Sequence, residues 1–166
     1  KEAVFLAGGP HATGDPQGSL GLGFDFVFVG ESEQTFPAFL RLFLGGKLPD
    51  LSILFGERNS DLFSSYPPHS LEQRYFSPVE ITRGCVYHCS FCQTPRIFGH
   101  PLRHRSPGSI ATHLKRAIPH GYRHSAFISP NAFSYGSPGS SGTNMEAIEE
   151  LLTACLRAGI ADLHFG

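Results

Sequence analysis

The chain has 166 residues, with 13 Lys+Arg against 14 Asp+Glu, nine His and a formal net charge of −1. That balance supplies no global field to draw in nucleic acid or an anionic membrane. The 40% apolar share is enough to bury a core, which excludes wholesale disorder. No apolar run nears the ~20 residues that a bilayer-spanning helix needs.

In chain order, Ala3–Ala7 predicts a buried strand that ends in Gly8-Gly9-Pro10-His11. It is too short before the glycines to form a signal peptide. Asp25–Val29 predicts a second strand, followed by Gly30-Glu31-Ser32-Glu33. Phe36, Phe39, Leu40 and Phe43 then recur at helical spacing, with Pro37 in the first turn and Gly45-Gly46 at the end. Strand, loop and helix in that order favour a parallel sheet. Residues 47–77 predict a connector, with a hairpin around Gly56-Glu57-Arg58-Asn59 and a Tyr66-Pro67-Pro68-His69 turn.

A second series follows. Pro78–Arg83 alternates as a strand, with Val79 and Ile81 inward, and leads into a cysteine loop. Ser106-Pro107 caps a helix carrying Ile110, Leu114 and Ile118, which stops before Pro119. Ser125–Ser129 predicts the next strand, followed by the Gly/Ser-rich loop 134–143. Thr143 and Glu146 predict a capping box for a helix with Ile148, Leu151, Leu152 and Cys155 inward and Gly159 at its end. Ala161–Phe165 predicts a third strand. This β-loop-α-β-loop-α-β order is the repeating unit of a (β/α) barrel. The expected class is α/β. The single methionine, Met145, the start at Lys1 and the stop on a strand and turn lead us to expect a piece cut from a longer protein.

Of the four cysteines, Cys85, Cys89 and Cys92 fall within eight residues. Thiols this crowded, with no secretory pattern, predict a metal or redox site in a reducing, cytoplasmic compartment rather than a disulfide scaffold. Cys155 sits on an apolar helix face and reads as a small core residue. Three thiolates spaced Cys-x3-Cys-x2-Cys can wrap three corners of an iron–sulfur cube and leave one iron open to an external chelator. Structural zinc is the competing reading. It would need a fourth ligand from His88, His100 or His104. A plain electron-transfer cluster would need a fourth cysteine, and Cys155 lies far along the chain. His11 reads as a loop residue. Arg103-His104-Arg105 forms a basic knot that could meet a substrate carboxylate or phosphate, or lie solvated on the surface.

The run from Glu80 to Pro95 resembles the signature of radical S-adenosylmethionine enzymes. Gly8-Gly9-Pro10-His11 and Gly30–Thr35 are similar to the C-terminal half of the cobalamin-binding domain that precedes the barrel in one large subgroup. Phe127–Gly136 resembles that subgroup's second barrel strand. The resemblance implies residues 1–46 as part of a doubly wound cobalamin-binding-type domain and residues 78–166 as the first half of a partial (β/α) barrel.

The resemblance further implies that Cys85, Cys89 and Cys92 ligate a [4Fe–4S] cluster, whose open iron chelates S-adenosylmethionine. Reductive cleavage of that cofactor to a 5′-deoxyadenosyl radical would follow, with electrons from an external donor of flavodoxin or ferredoxin type. Phe91 matches the position that contacts the adenine, and Asn131 stands where many members hold the methionine amino group. Ser129-Pro130-Asn131 departs there from the family's Gly-Gly-Glu-like pattern. Gly8 and Gly9 match strand-end positions beside a cobalamin tail. The implied activity is a cobalamin-dependent methylation or rearrangement of an unknown substrate, with this chain by itself inactive. The alternatives are a methylthiotransferase-like radical enzyme without cobalamin and a non-catalytic zinc or iron–sulfur module.

Overall fold

The computed structural model describes residues 3–139 and 142–165, apart from the side chain of Ser60. Residues 140 and 141 of the Gly/Ser-rich loop lie outside the described residues, as do 1, 2 and 166. In chain order the elements begin with β1 (Leu6–Ala7), α1 (Gly9–Gly14), α2 (Pro16–Gly21), β2 (Phe26–Val29), α3 (Thr35–Leu44) and β3 (Ile53–Phe55). Then come α4 (Ser60–Ser65), β4 (His69–Ser70), β5 (Tyr75–Phe76), β6 (Val79–Glu80), β7 (Thr82–Arg83) and α5 (Thr94–Phe98). The chain closes with β8 (Arg103–His104), α6 (Pro107–Ala117), β9 (His124–Ile128), α7 (Met145–Ala158) and β10 (Asp162–His164). None of these helices is long and apolar enough to cross a membrane. The protein is α/β with parallel sheets, in two compact units.

The first unit comprises residues 1–59 and 87–100. Its sheet runs β1-β2-β3, all parallel. Phe26 and Phe28 alternate on β2 and meet Phe39 of α3, with ring centroids 5.0 and 5.5 Å apart. Together with Val4, Leu6 and Leu54 these rings form the core. His11, expected in a loop, lies within α1, and the glycine- and proline-rich stretch after β1 forms α1 and α2. Pro10 and Pro16 sit in their first turns, and the Asp15 side chain accepts from the Gly18 N–H to cap α2. Thr13 accepts from the Gly30 N–H at 3.0 Å, tying α1 to the end of β2.

β3 corrects the hairpin expected around 56–59: this segment is the third parallel strand. Gly56 donates its N–H to the Val29 carbonyl, and a Cβ on Gly56 would overlap the carbonyl oxygen of Glu31. The close approach of the two chains after β2 and β3 therefore demands glycine here.

The second unit comprises residues 60–86 and 101–166. Its main sheet has the order β10-β9-β6, again all parallel, connected through α6 and α7. Val79, Ile81, Ile110, Leu114, Phe127, Ile148, Leu151 and Cys155 form one buried core. Ser106 caps α6 as expected, its hydroxyl accepting from the Ser109 N–H at 3.2 Å. The cap of α7 is Asn144 rather than Thr143. Its amide oxygen accepts from the Ala147 N–H while its amide nitrogen donates to the Gly136 carbonyl, a two-way role a threonine hydroxyl fills less well. Gly159 ends α7 at φ 101°, in the left-handed region.

The strand expected over 78–83 is divided at Ile81. β6 pairs with β9 in parallel, whereas β7 pairs with β8 antiparallel. Ile81 bridges the two ladders, donating its N–H to the Ile128 carbonyl and accepting from the Arg105 N–H, both at 2.9 Å. The hairpin of the connector lies at β4–β5, its turn at 71–74 fifteen residues later than the expected one at 56–59. Arg74 turns it with a left-handed φ of 51°.

Candidate metal centre

The cysteine loop begins where β7 ends. Gly84 leaves the strand at φ 84°, a conformation a side chain would strain, and delivers the buried Cys85. Cys85 belongs to the second unit, while Cys89 and Cys92 belong to the first. Segment 87–100, expected in the barrel series, is grouped with residues 1–59. Cys89 and Cys92 share one turn, closed by the Cys92 N–H donating to the Cys89 carbonyl at 3.1 Å. Cys89 is exposed and Cys92 half-buried, and none of the four cysteines is in a disulfide.

The Thr94 hydroxyl and then the Thr94 backbone N–H hydrogen-bond the Cys92 sulfur and hold its thiol below the ordinary range. That favours the thiolate, the form that ligates metal. α5 follows at once. Arg58 donates to the Ile97 and Arg96 carbonyls at 3.3 and 3.0 Å, satisfying the open end of this helix. Cys155 behaves oppositely. It is fully buried in the second core, and burial pushes its thiol up to about 12.

Among the described residues, no three His, Cys, Asp or Glu side chains are gathered to hold a metal ion. The donor set still fits an iron–sulfur cluster by its chemistry: three thiols on one loop, one of them biased toward the thiolate. It fits zinc less well. Both ring nitrogens of His104 are engaged, by the Thr82 hydroxyl at 3.0 Å and the Ser137 carbonyl at 3.2 Å. His88 and His100 stack on each other with centroids 4.1 Å apart.

The remaining candidates lie as follows. Phe91, at the tip of the cysteine turn, is 88% exposed. Asn131 caps the short 3₁₀ turn Ala132–Ser134, its side chain accepting from the Phe133 N–H at 3.2 Å. Gly8 precedes α1, and a Cβ there would make ordinary contact with Phe28 at 3.8 Å. Gly9 has φ 85° and open space where a Cβ would stand, so its backbone rather than a neighbour calls for glycine.

In the basic knot, Arg105 is neither solvated nor free for a ligand, and the ring nitrogens of His104 are both engaged. Arg105 is 4% exposed and donates to the carbonyls of Glu80, Ser64 and Tyr66. Its guanidinium also covers the Phe63 ring at 4.9 Å. Sequence reasoning missed this structural role because the partners lie 25 to 41 positions away.

No family model matches the chain. It is 27% identical over 134 residues to an uncharacterized methyltransferase of Synechocystis sp., covering 78% of this chain and 25% of the relative. It is also 27% identical over 116 residues to the hopanoid C-2 methylase of Rhodopseudomonas palustris, covering 66% and 22%. A tRNA-2-methylthio-N(6)-dimethylallyladenosine synthase of Pelobacter propionicus is 28% identical over 110 residues, covering 66% and 24%. The chain thus spans about a quarter of the length of the curated relatives it matches. It is similar, at low identity, to methyl- and methylthio-transferring enzymes. That likeness supports the radical S-adenosylmethionine resemblance of the cysteine loop and carries no weight for a cobalamin-binding domain.

Proposed function

We propose that the full-length protein is a radical S-adenosylmethionine enzyme that transfers a methyl or methylthio group. The observation that carries this reading is Cys85-x3-Cys89-x2-Cys92, set directly after a strand, with the Cys92 thiol biased toward its ligating form. Similarity to methylases and methylthiotransferases supports it. Cys85, Cys89 and Cys92 would hold a [4Fe–4S] cluster, which when bound supplies the electron for reductive cleavage of S-adenosylmethionine. Around it the chain's own groups have simple tasks. Thr94 steadies the Cys92 sulfur, and Arg58 fastens the helix that follows the loop. On this reading Phe91 lies against the adenine and Asn131 meets the methionine amino group. A flavodoxin- or ferredoxin-type donor supplies electrons to a cytoplasmic enzyme.

The finer reading assigns residues 1–46 to a partial cobalamin-binding domain, 47–77 to a connector and 78–166 to a partial barrel. Gly8 and Gly9 would then flank the corrinoid tail. The second reading is a methylthiotransferase-like radical enzyme without cobalamin, and similarity to a methylthio-transferring relative is consistent with it. Anaerobic reconstitution of the full-length protein decides the main point. It should hold about four irons and about four sulfides per chain, and S-adenosylmethionine should perturb the reduced cluster's electron paramagnetic resonance. Stoichiometric zinc without sulfide would overturn the proposal. Equilibrium dialysis with hydroxocobalamin separates the two enzyme readings. Binding that Gly9→Leu weakens without loss of iron supports the corrinoid, and no binding supports the methylthiotransferase-like reading.

A further inference from the structure

The second unit contains a cavity of about 230 Å³ that includes none of the cysteines. His69 of β4 lines it, with Ser70 and Glu72 from the same hairpin and His113 and Arg116 from α6. His69 is 6% exposed, and neither ring nitrogen has a hydrogen-bond partner. A neutral imidazole carries one donor and one acceptor, and leaving such a group buried and unpaired costs about 1–3 kcal/mol. His104, in the same unit, has both nitrogens matched. The His69 ring is also held in place, 4.6 Å from the Tyr122 ring and 5.8 Å from that of Phe76.

The charge around this orphaned ring is chiefly positive. His113 and Arg116 stand three residues apart on α6, so both project from one face of the helix. Arg105 acts on His69 as a positive neighbour, whereas burial lowers His113, which stands here as a neutral hydrogen-bonding ring. Glu72 is the only carboxylate lining the cavity among the described residues. A metal cation would meet Arg116 as a like charge, and no metal-holding set is gathered here among the described residues. An apolar ligand would leave the imidazole N–H as unpaired as before. An oxyanion can accept from the imidazole and the guanidinium together.

We propose that this cavity binds a small oxyanion, the phosphate or carboxylate group of a ligand, between His69, His113 and Arg116. The His69 nitrogens are sealed from bulk water, so Arg116 and His113 meet the anion first and His69 after a local shift of the cavity wall.

The test is a titration of the 166-residue chain with inorganic phosphate, and separately with acetate, at constant ionic strength. Imidazole ring resonances are followed by ¹⁵N NMR. Saturable shifts of the His69 and His113 rings are expected, and Arg116→Gln should weaken binding at least about tenfold. Arg157→Gln, on the exposed side of α7, should leave it unchanged. Saturation with phosphate but not acetate assigns a phosphate ligand, and the reverse assigns a carboxylate. No saturable shift with either anion overturns the proposal, as does equal weakening by Arg157→Gln. If Arg116→Gln disturbs the fold, Arg116→Lys with an unchanged amide spectrum serves in its place. It should retain part of the affinity, and undiminished binding by both variants overturns the proposal.

Discussion

Thr82 and His104 face each other across the β7–β8 ladder, and the Thr82 hydroxyl donates to His104 Nδ1 at 3.0 Å. His104 Nε2 in turn donates to the Ser137 carbonyl, which fixes the ring as the neutral Nε2–H tautomer. Replacing Thr82 by Val keeps the shape and leaves a half-buried acceptor unpaired. Urea unfolding should show a loss of about 1–2 kcal/mol, and Thr82→Ser should recover most of it.

Acid should weaken the second unit through its buried histidines. Burial, then His113 and Arg105, lower His69 to about 4 from the ordinary 6.5. Between those values the unfolded chain binds a proton that the folded chain refuses, so stability falls as pH falls from about 6.5 toward 4 and levels off below. His104 and His113 are also lowered, chiefly by burial, and act in the same direction. The slope for a single group is about 1.4 kcal/mol per pH unit. His69→Phe should flatten the profile of unfolding free energy against pH in this window. An unchanged slope would show that His69 is already charged in the folded state.

The four thiols should label in a defined order. With iodoacetamide near neutral pH and no metal, Cys92 should react fastest for its exposure, because Thr94 favours its thiolate. Cys155 should stay unlabelled until the chain unfolds, being fully buried with its thiol pushed up to about 12. Thr94→Val should slow Cys92 several-fold and leave Cys89 unchanged, as read by peptide mass spectrometry. Under iron and sulfide reconstitution, Ala at Cys85, Cys89 or Cys92 should each abolish the cluster, whereas Cys155→Ala should spare it and cost about 1 kcal/mol of packing.

Two glycines in the first unit should respond differently to alanine. At Gly56 the new Cβ falls on the Glu31 carbonyl, so β2 and β3 must separate locally. We expect a loss of about 2–4 kcal/mol. At Gly9 the Cβ meets open space and only the φ of 85° is strained, for about 1 kcal/mol. Parallel thermal melts should rank the two, and equal losses would show that the Gly56 approach relaxes easily.

What could be read ahead of the coordinates follows from how local each signal is. The cysteine spacing is complete within eight residues and needs no fold to be recognised. α6 and α7 declare themselves by apolar residues at helical spacing, and β9 and β10 by short apolar runs between turn residues. β3 is hidden because Ile53–Phe55 is too short to show a period and its status rests on pairing with β2. α1 and α2 look like loops because glycine and proline dominate them, although proline in each first turn and Asp15 before the second were available signs. The division of the 78–83 strand at Ile81 depends on two partners far apart in sequence, Ile128 and Arg105. The burial of Arg105 and the isolation of His69 are likewise tertiary facts, invisible in any local window.

The guanidinium of Arg105 carries a consequence for the order in which the chain folds. It holds the Ser64 and Tyr66 carbonyls across 41 and 39 residues, and Ser109 reaches the same Ser64 carbonyl across 45. The short helix α4 has little stability of its own at six residues. Its anchors exist only after β8 has paired and the start of α6 has formed. Loop closure over such spans precedes any reward from the contacts it makes. Segment 60–66 is therefore expected to acquire protection from hydrogen exchange late in refolding, after α6 and α7. In Arg105→Lys it should lag further while those two helices keep their pace.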